Sequence, residues 1–331
     1  MVLAFTSSIR IIFPQASRLT CLLSLTMVTS FAVLYAGITY MAFNFILRKV
    51  MAGASSCSKI SLDFDMLRSR IIPCLLVHKG GLYKTVGFGQ HKYVGDPLNA
   101  VRIFNEKEVD ELMIIDIDAS RFGYEPDYRL IANLATECRM PLCYGGGVRT
   151  VEQFDRIIGL GVEKVSISSA AIDTPDLVKR AALRVGSQSV VAVIDVKRIG
   201  LFRKPEVVTL NATKRTGLDP ALWASKLQEL GAGEIVINSV DRDGEMKGYD
   251  TDLIEQIRNA TSLPLTVLGG AGSLNDLRSL IESYGIIGAG AGSLFVFKGK
   301  YKAVLINYPT HSEKDALYKS QSNSNVNEIG Q

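Results

Sequence analysis

The stretch Pro141–Thr150, PLCYGGGVRT, has a counterpart in Pro264–Ser273, PLTVLGGAGS, which lies 123 residues further along the chain. Each stretch opens with proline, continues through an apolar run and ends in a glycine-rich turn. The same spacing separates Glu111 from Glu234, and each glutamate stands directly before an apolar run. Repetition at one fixed spacing predicts a chain built from two similar halves.

Short apolar runs alternate with amphipathic stretches throughout the region that contains this repeat. The predicted strands are Ile71–Val77, Leu112–Ile117, Pro141–Tyr144, Lys164–Ile167, Val190–Val196, Ile235–Val240, Leu265–Leu268 and Ile286–Ala289. Continuous Val, Ile and Leu runs are typical of strands buried on both faces of a parallel sheet. Eight such strands alternating with helices predict an α/β chain with a duplicated (β/α)8 TIM barrel over residues 66–310.

Composition excludes several classes of function. The 331 residues carry a net charge of +4 with no basic run, so there is no electrostatic case for nucleic acid. The five cysteines show no C-x-x-C spacing and there are only three histidines, so neither a metal site nor a cofactor is predicted. Reduced, buried thiols and a cytoplasmic setting are expected for the globular part.

Residues 1–65 form an N-terminal extension with a different composition. The segment 19–47 has no charged residue and is long enough to span roughly 30 Å of hydrocarbon as a helix. No clear cleavage site follows it, so an uncleaved membrane anchor is one interpretation. The other is that translation starts at Met66 and the extension is not made. At the opposite end, residues 311–331 are predicted to be a polar tail.

Glycine and serine concentrate where four predicted strands end, which is where barrels of this kind bind their ligands. Glycine lets a backbone approach a ligand closely, and amides at a following helix attract anions. Because two such pairs follow the internal repeat, we expect a ligand with a phosphate at each end. The candidate residues are Gly146, Gly147, Ser168 and Ser169 on one side, and Gly269, Gly270, Gly292 and Ser293 on the other.

Several carboxylates are predicted to lie at the same end of the barrel. Asp195 ends the fifth strand, where it could serve as general acid or base on a bound substrate. The alternative is a carboxylate that only accepts hydrogen bonds from loop amides. Asp116 is a further candidate for substrate contact. Asp243 and Gly244 belong to a loop that either contacts the ligand or pairs with itself.

From Met66 to about Tyr308 the sequence resembles the cyclase subunit of imidazole glycerol phosphate synthase. The matching stretches include RIIPCL, DELMIIDIDAS, PLCYGGGVRT, KVSISSAAI, GSQSVVAVIDVKR, LGAGEIVINSVDRDG and GGAGS. The resemblance implies a duplicated barrel and a substrate with two phosphates. It also implies a separate glutaminase subunit, whose ammonia travels through the barrel to that substrate.

The resemblance assigns roles to individual residues. Gly147 and Ser169 match one phosphate site, Gly270 and Ser293 match the other, and Lys84 matches a lysine of the family's mobile loop. Asp195 matches one of two catalytic aspartates.

The other catalytic aspartate falls on Leu76. Leucine cannot hold a proton, and loss of a general acid or base costs about 10² to 10⁴ in rate. The resemblance therefore implies an impaired parent reaction. The alternative is an isolated substitution in a decaying gene.

Four charged residues each stand immediately before a predicted strand: Arg70, Glu111, Lys164 and Glu234. They could form a ring of two positive and two negative charges on the barrel floor. Buried charges need compensating partners, and a barrel interior is normally apolar. The resemblance implies that the ring is the gate through which ammonia enters. A purely structural network is the alternative.

Three functions follow from these features. The first is an ammonia-using synthase subunit, diverted to amidino modification of bacterial surface sugars (lipopolysaccharide). It rests on resemblance to a branch with the Leu76-type strand, KYVGDP and LINYP, and it adds a sugar amidotransferase as a partner. The second is the cyclase of histidine biosynthesis, working with Asp195 alone. The third is a non-catalytic ammonia conduit.

Overall fold

The computed structural model describes residues 68–299 and 301–318. The predicted membrane segment 19–47 lies outside the described residues, as do the rest of the N-terminal extension and residues 319–331. Within the part of the chain that is described, no helix has both the length and the apolar character needed to span a bilayer.

Eight parallel strands form a closed barrel. They are β1 (Arg70–His78), β2 (Leu112–Asp116), β3 (Leu142–Gly145), β4 (Lys164–Ile167), β5 (Val190–Ile199), β6 (Glu234–Ser239), β7 (Leu265–Leu268) and β8 (Gly288–Ala291). Each strand pairs in parallel with the next one, and β8 pairs back with β1 through Gly288 and Arg70. This closure confirms the predicted (β/α)8 barrel.

Helices follow the strands around the outside of the barrel. They are α1 (Pro97–Glu106), α2 (Tyr128–Glu137), α3 (Val151–Gly159), α4 (Asp176–Val185), α5 (Pro220–Glu229), α6 (Thr251–Ala260) and α7 (Leu274–Tyr284). Residues 311–318, which the sequence placed in the polar tail, are also helical. Thr310 and Glu313 cap this last helix reciprocally, and Leu317 is buried in the core.

The helix starts repeat with the same spacing as the sequence. Asp96 and Asp219 are the N-caps of α1 and α5, each followed by proline in the first turn. Thr150 and Ser273 head capping boxes at the starts of α3 and α7. Both pairs are 123 residues apart. Equivalent local signals therefore start equivalent helices in the two halves, as a duplicated half-barrel requires.

Shorter strands and helices lie in the segments that connect or follow the main barrel elements. The additional strands are Gly81–Lys84, Lys92–Gly95, Lys204–Thr209, Lys214–Arg215, Phe297–Lys298 and Ala303–Val304. The additional helices are Ile117–Phe122, Ser169–Asp173 and Ser293–Val296, with 3-10 turns at Ser187–Ser189 and Val240–Arg242. The last barrel strand starts two residues later than predicted, because Ile286 is 55% exposed and strand pairing begins at Gly288.

Apolar side chains fill the inside of the barrel. The inner cluster consists of Ile72, Cys74, Met113, Cys143, Val191, Val236 and Leu268. It separates the floor, where the strands begin, from the mouth, where they end. The two thiols in this cluster are free and buried, as the sequence predicted.

Candidate functional site

A cleft opens at the barrel mouth. Its apolar lining residues include Leu76, Ile115, Val193 and Leu268. Its polar lining residues include Asp195, Asn238, Ser168, Ser169 and Asn211. A concave site with a few converging polar groups is the usual form of a small-molecule site.

Asp195 is held in the cleft by two side-chain donors. Asn238 Nδ2 donates to Asp195 Oδ1 at 2.9 Å, and Ser168 Oγ donates to Oδ2 at 3.0 Å. Burial raises the pKa of Asp195 to about 6, although both hydrogen bonds act to lower it. A carboxyl group that exchanges its proton near neutral pH suits general acid–base chemistry. The sequence missed Asn238, but Asn238 lies directly opposite Asp195 in the β5–β6 register, so strand alignment could have found it.

Leu76 brings an apolar surface to the position where the resemblance implied a second carboxylate. It lies opposite Ile115 in the β1–β2 register, and both side chains pack against the inner cluster. Leu268 extends the same surface, and its side chain fills the space left by the absent Cβ of Gly290. Leu76, Ile115 and Leu268 therefore form a packed apolar surface in the cleft.

The first predicted phosphate side is assembled at the cleft. Gly146, Gly147, Ser168 and Ser169 all belong to its lining. The Gly147 amide donates to Ser120 Oγ at 3.2 Å, and the Ser169 hydroxyl accepts from the Leu210 amide at 3.3 Å. At Gly147, with φ +74°, a Cβ would lie 2.8 Å from a backbone oxygen, so only glycine fits.

The residues of the second predicted phosphate side are not among the described residues that line this cleft. That side consists of Gly269, Gly270, Gly292 and Ser293. Lys84 Nζ occupies the space beside Gly292, where it donates to the Cys74 carbonyl. Burial lowers the pKa of Lys84, and the strand Gly81–Lys84 directs it inward. The sequence placed this lysine in a long loop, because a strand of four residues has little periodicity to reveal it.

The remaining acidic candidates have protein partners. Asp116 lines the cleft, but its side chain caps the helix Ile117–Phe122. Asp243 Oδ2 accepts from Thr85 Oγ1 at 2.7 Å and from the Phe88 amide at 3.2 Å. Gly244 follows it in close contact with the Thr85 carbonyl. Asp243 therefore holds residues 85–88 beside the mouth. Substrate contact by Asp116, Asp243 and Gly244 stays a prediction.

Four charged side chains converge on the floor of the barrel. Arg70 pairs with Glu111 and, at 2.8 Å, with Glu234. Lys164 Nζ lies 2.8 Å from Glu111 and 2.9 Å from Glu234, so each cation touches both carboxylates. Thr266 Oγ1 also donates to Glu234 at 2.6 Å. We call these four charged residues the floor ring.

The floor ring is balanced in charge and its carboxylates are buried. Glu111 and Glu234 are 3% and 5% exposed, whereas the side chains of Arg70 and Lys164 are 29% and 19% exposed. Burial alone would lower the pKa of Lys164, but Glu234 and Glu111 raise it. Burial alone would raise the pKa of Glu234, but Arg70 and Lys164 lower it. The opposite charges of the ring thus favour the ionised forms of Lys164 and Glu234.

Comparison with known proteins gives one consistent result. The family profile described as "Histidine biosynthesis protein" matches residues 70–302. A Vibrio vulnificus protein provisionally named imidazole glycerol phosphate synthase subunit hisF3 is 57% identical over 251 residues, which are 76% of this chain and 96% of that protein. A Leptospira interrogans protein provisionally named subunit HisF is 56% identical over 253 residues, which are 76% of this chain and 100% of that protein.

The chain belongs to the HisF family of imidazole glycerol phosphate synthase subunits. Within the HisF family, identity falls to 40% over 233 residues for the Streptomyces griseus subunit HisF, covering 70% of this chain and 91% of that protein. That relative carries the plain family name, whereas the relatives above 50% identity carry provisional names and in some cases a number.

The raised pKa of Asp195 predicts where its carboxyl group titrates and how the stability of the protein depends on pH. In this HisF-family barrel we expect a midpoint near pH 6 in a carbon-13 NMR titration of the Asp195 carboxyl, against an ordinary value of 3.8. The stability contributed by the protonated form is complete below about pH 4 and lost as the pH rises through 6. Asn238→Ala should move the midpoint upward, because the carboxylate loses a donor. A midpoint near 4 in the unchanged protein would contradict this expectation.

Proposed function

We propose that this HisF-family chain is an ammonia-using synthase subunit. A separate glutaminase docks on the barrel floor, and its ammonia passes the floor ring to reach a phosphorylated substrate in the mouth. The observation that carries this proposal is the closed floor ring beneath a cleft whose proton-exchanging group is Asp195.

The need to fill the barrel floor does not by itself explain why four charged residues are placed there. Burying charges costs several kcal/mol per ion, and well-packed apolar residues of similar volume often serve stability as well or better. The carboxylates are buried, whereas both cations keep a path to solvent. Outward movement of a cation would open the centre of the ring to a small neutral molecule. Ammonia has that size and charge.

The chemistry at the mouth differs from that of a site with paired carboxylates. Leu76 lines the cleft where the resemblance implies a second catalytic carboxylate, so a reaction that needs both proton-transfer groups lacks one of them. We therefore infer that the ammonia goes to another acceptor. The acceptor chemistry that fits the resemblance is amidino modification of a bacterial surface sugar, with a sugar amidotransferase as a further partner.

A second candidate function is the cyclase step of histidine biosynthesis. The family description favours it, as does the presence of Gly147 and Ser169, two residues of the predicted phosphate site, in the lining of the cleft. In this case Asp195 would carry the proton transfers alone.

Growth of a bacterial strain without its histidine cyclase subunit separates the two candidates. We expect the unchanged chain to leave the strain dependent on histidine, because Leu76 cannot transfer a proton. Leu76→Asp should improve growth by supplying the second carboxylate. Leu222→Asp, at an exposed position on α5, is the matched control. Full growth with the unchanged chain would support the second candidate and contradict the first.

The partner is tested by co-purification with the glutaminases of the same organism. We expect one of them to bind and to hydrolyse glutamine faster in the complex, with a further increase when a bisphosphorylated ligand is added. Hydrolysis that stays unchanged for every glutaminase would exclude the proposed delivery of ammonia.

A further inference from the structure

The segment that follows the family match, residues 303–318, reaches back to the barrel floor. Tyr308 Oη donates to the Ile71 carbonyl at 2.9 Å and accepts from the Asp110 amide at 3.1 Å. Asp110 Oδ2 in turn accepts from the Ile71 amide at 2.9 Å. Ile71 follows Arg70 and Asp110 precedes Glu111, so these three bonds hold the chain next to two members of the floor ring.

The helix at residues 311–318 holds the same aspartate from the other side. Lys314 Nζ donates to Asp110 Oδ1 at 2.9 Å and to the Glu108 carbonyl at 3.2 Å. Tyr318 Oη donates to Asp110 Oδ2 at 3.1 Å. Tyr308 and Lys314 are both buried. One carboxylate therefore receives donors from β1 and from the C-terminal helix.

We propose that Tyr308, Lys314 and Tyr318 act through Asp110 as positioning residues for the floor ring. They fix the separation between the starts of β1 and β2, and with it the pair formed by Arg70 and Glu111. That the floor ring admits ammonia rests on the proposed function. That the C-terminal residues position the floor ring through Asp110 does not.

The placement of the network favours this role over ordinary helix packing. To pack against the barrel, the C-terminal helix needs only an apolar contact, which Leu317 supplies. The polar atoms of Tyr308, Lys314 and Tyr318 instead meet next to the Arg70–Glu111 pair. Because Lys164 binds both oxygens of Glu111, a shift of Glu111 would also loosen Lys164. A partner that moves the C-terminal helix on docking would therefore loosen the entrance.

The link can be measured in the isolated chain through the side-chain ammonium of Lys164. Its nitrogen-15 NMR signal, assigned by its loss in Lys164→Met, reports hydrogen exchange within the floor ring. Tyr308→Phe removes only the bridging hydroxyl, and Tyr301→Phe, at a position that is 88% exposed, is the matched control. We expect exchange at least about fivefold faster in Tyr308→Phe, as the net worth of one of the two hydrogen bonds of this hydroxyl predicts, and no change in the control.

Lys314→Met removes a donor from the outer side of Asp110 and serves as a second variant if Tyr308→Phe does not fold. It should also accelerate exchange at Lys164. A lower melting temperature with Lys164 exchange equal to that of Tyr301→Phe would overturn the proposal, because the network would then stabilise the fold without positioning the ring. Neither measurement requires a glutaminase, so failure of the proposed function would leave this result intact.

Discussion

Replacing Lys164 with methionine is expected to lower the free energy of unfolding by about 3–5 kcal/mol, the usual cost of removing one partner from a buried ion pair. Glu111 and Glu234 would then share Arg70 alone, and one buried carboxylate would lack compensation. Delivery of glutamine-derived nitrogen should also be lost. Urea unfolding at pH 7 measures the first effect. Incorporation of nitrogen-15 from amide-labelled glutamine into phosphorylated metabolites measures the second.

Two further variants test whether lost charge balance causes the loss of stability in Lys164→Met. Lys226→Met removes a lysine whose side chain is 53% exposed and paired with Glu229, so it should change stability by less than about 1 kcal/mol. Lys164→Met combined with Glu111→Gln restores a neutral ring and should regain part of the lost stability. Equal stability of Lys164→Met and Lys226→Met would contradict the description of the floor ring as a buried, balanced network.

Asp195→Asn should reduce incorporation of glutamine-derived nitrogen by about 10² to 10⁴, the usual effect of losing a general acid or base. Unlike Lys164→Met, Asp195→Asn should not lower the free energy of unfolding. Above pH 6 the unchanged protein must keep a buried carboxylate ionised, and asparagine removes that cost while keeping the size of the side chain. Stability at pH 7 should therefore be equal or higher.

The exposed Asp173, changed to asparagine, is the control for this variant. It should leave both nitrogen incorporation and stability unchanged. If Asp195→Asn transfers nitrogen at the original rate, the mouth does no proton chemistry and the chain is a conduit. Charge reversal at Glu111 or Lys164 would still abolish the activation of the glutaminase.

The barrel and the floor ring could be predicted from sequence for the same reason. Strands buried on both faces leave continuous apolar runs, and a ring residue stands immediately before its run, as Glu111 does before Leu112. A residue next to a strand start has its place set by the barrel itself. The prediction therefore needed no knowledge of loops or side-chain rotamers.

The mouth was less predictable because its contacts join distant parts of the chain. Asp243 is held by Thr85, which lies 158 residues earlier, and no local pattern links the two. Asn238 reads as an ordinary strand residue until the β5–β6 register places it opposite Asp195. The inward direction of Lys84 depends on the slot beside Gly292, at the opposite end of the barrel sequence.

The most direct test supplies the purified complex with glutamine and with the bisphosphorylated substrate of the parent cyclase reaction. We predict that glutamine is hydrolysed while formation of the imidazole product stays at least about 10²-fold below that of Leu76→Asp, whose added carboxylate restores proton transfer. Rapid formation of the imidazole product by the unchanged chain, with no gain from Leu76→Asp, would contradict it.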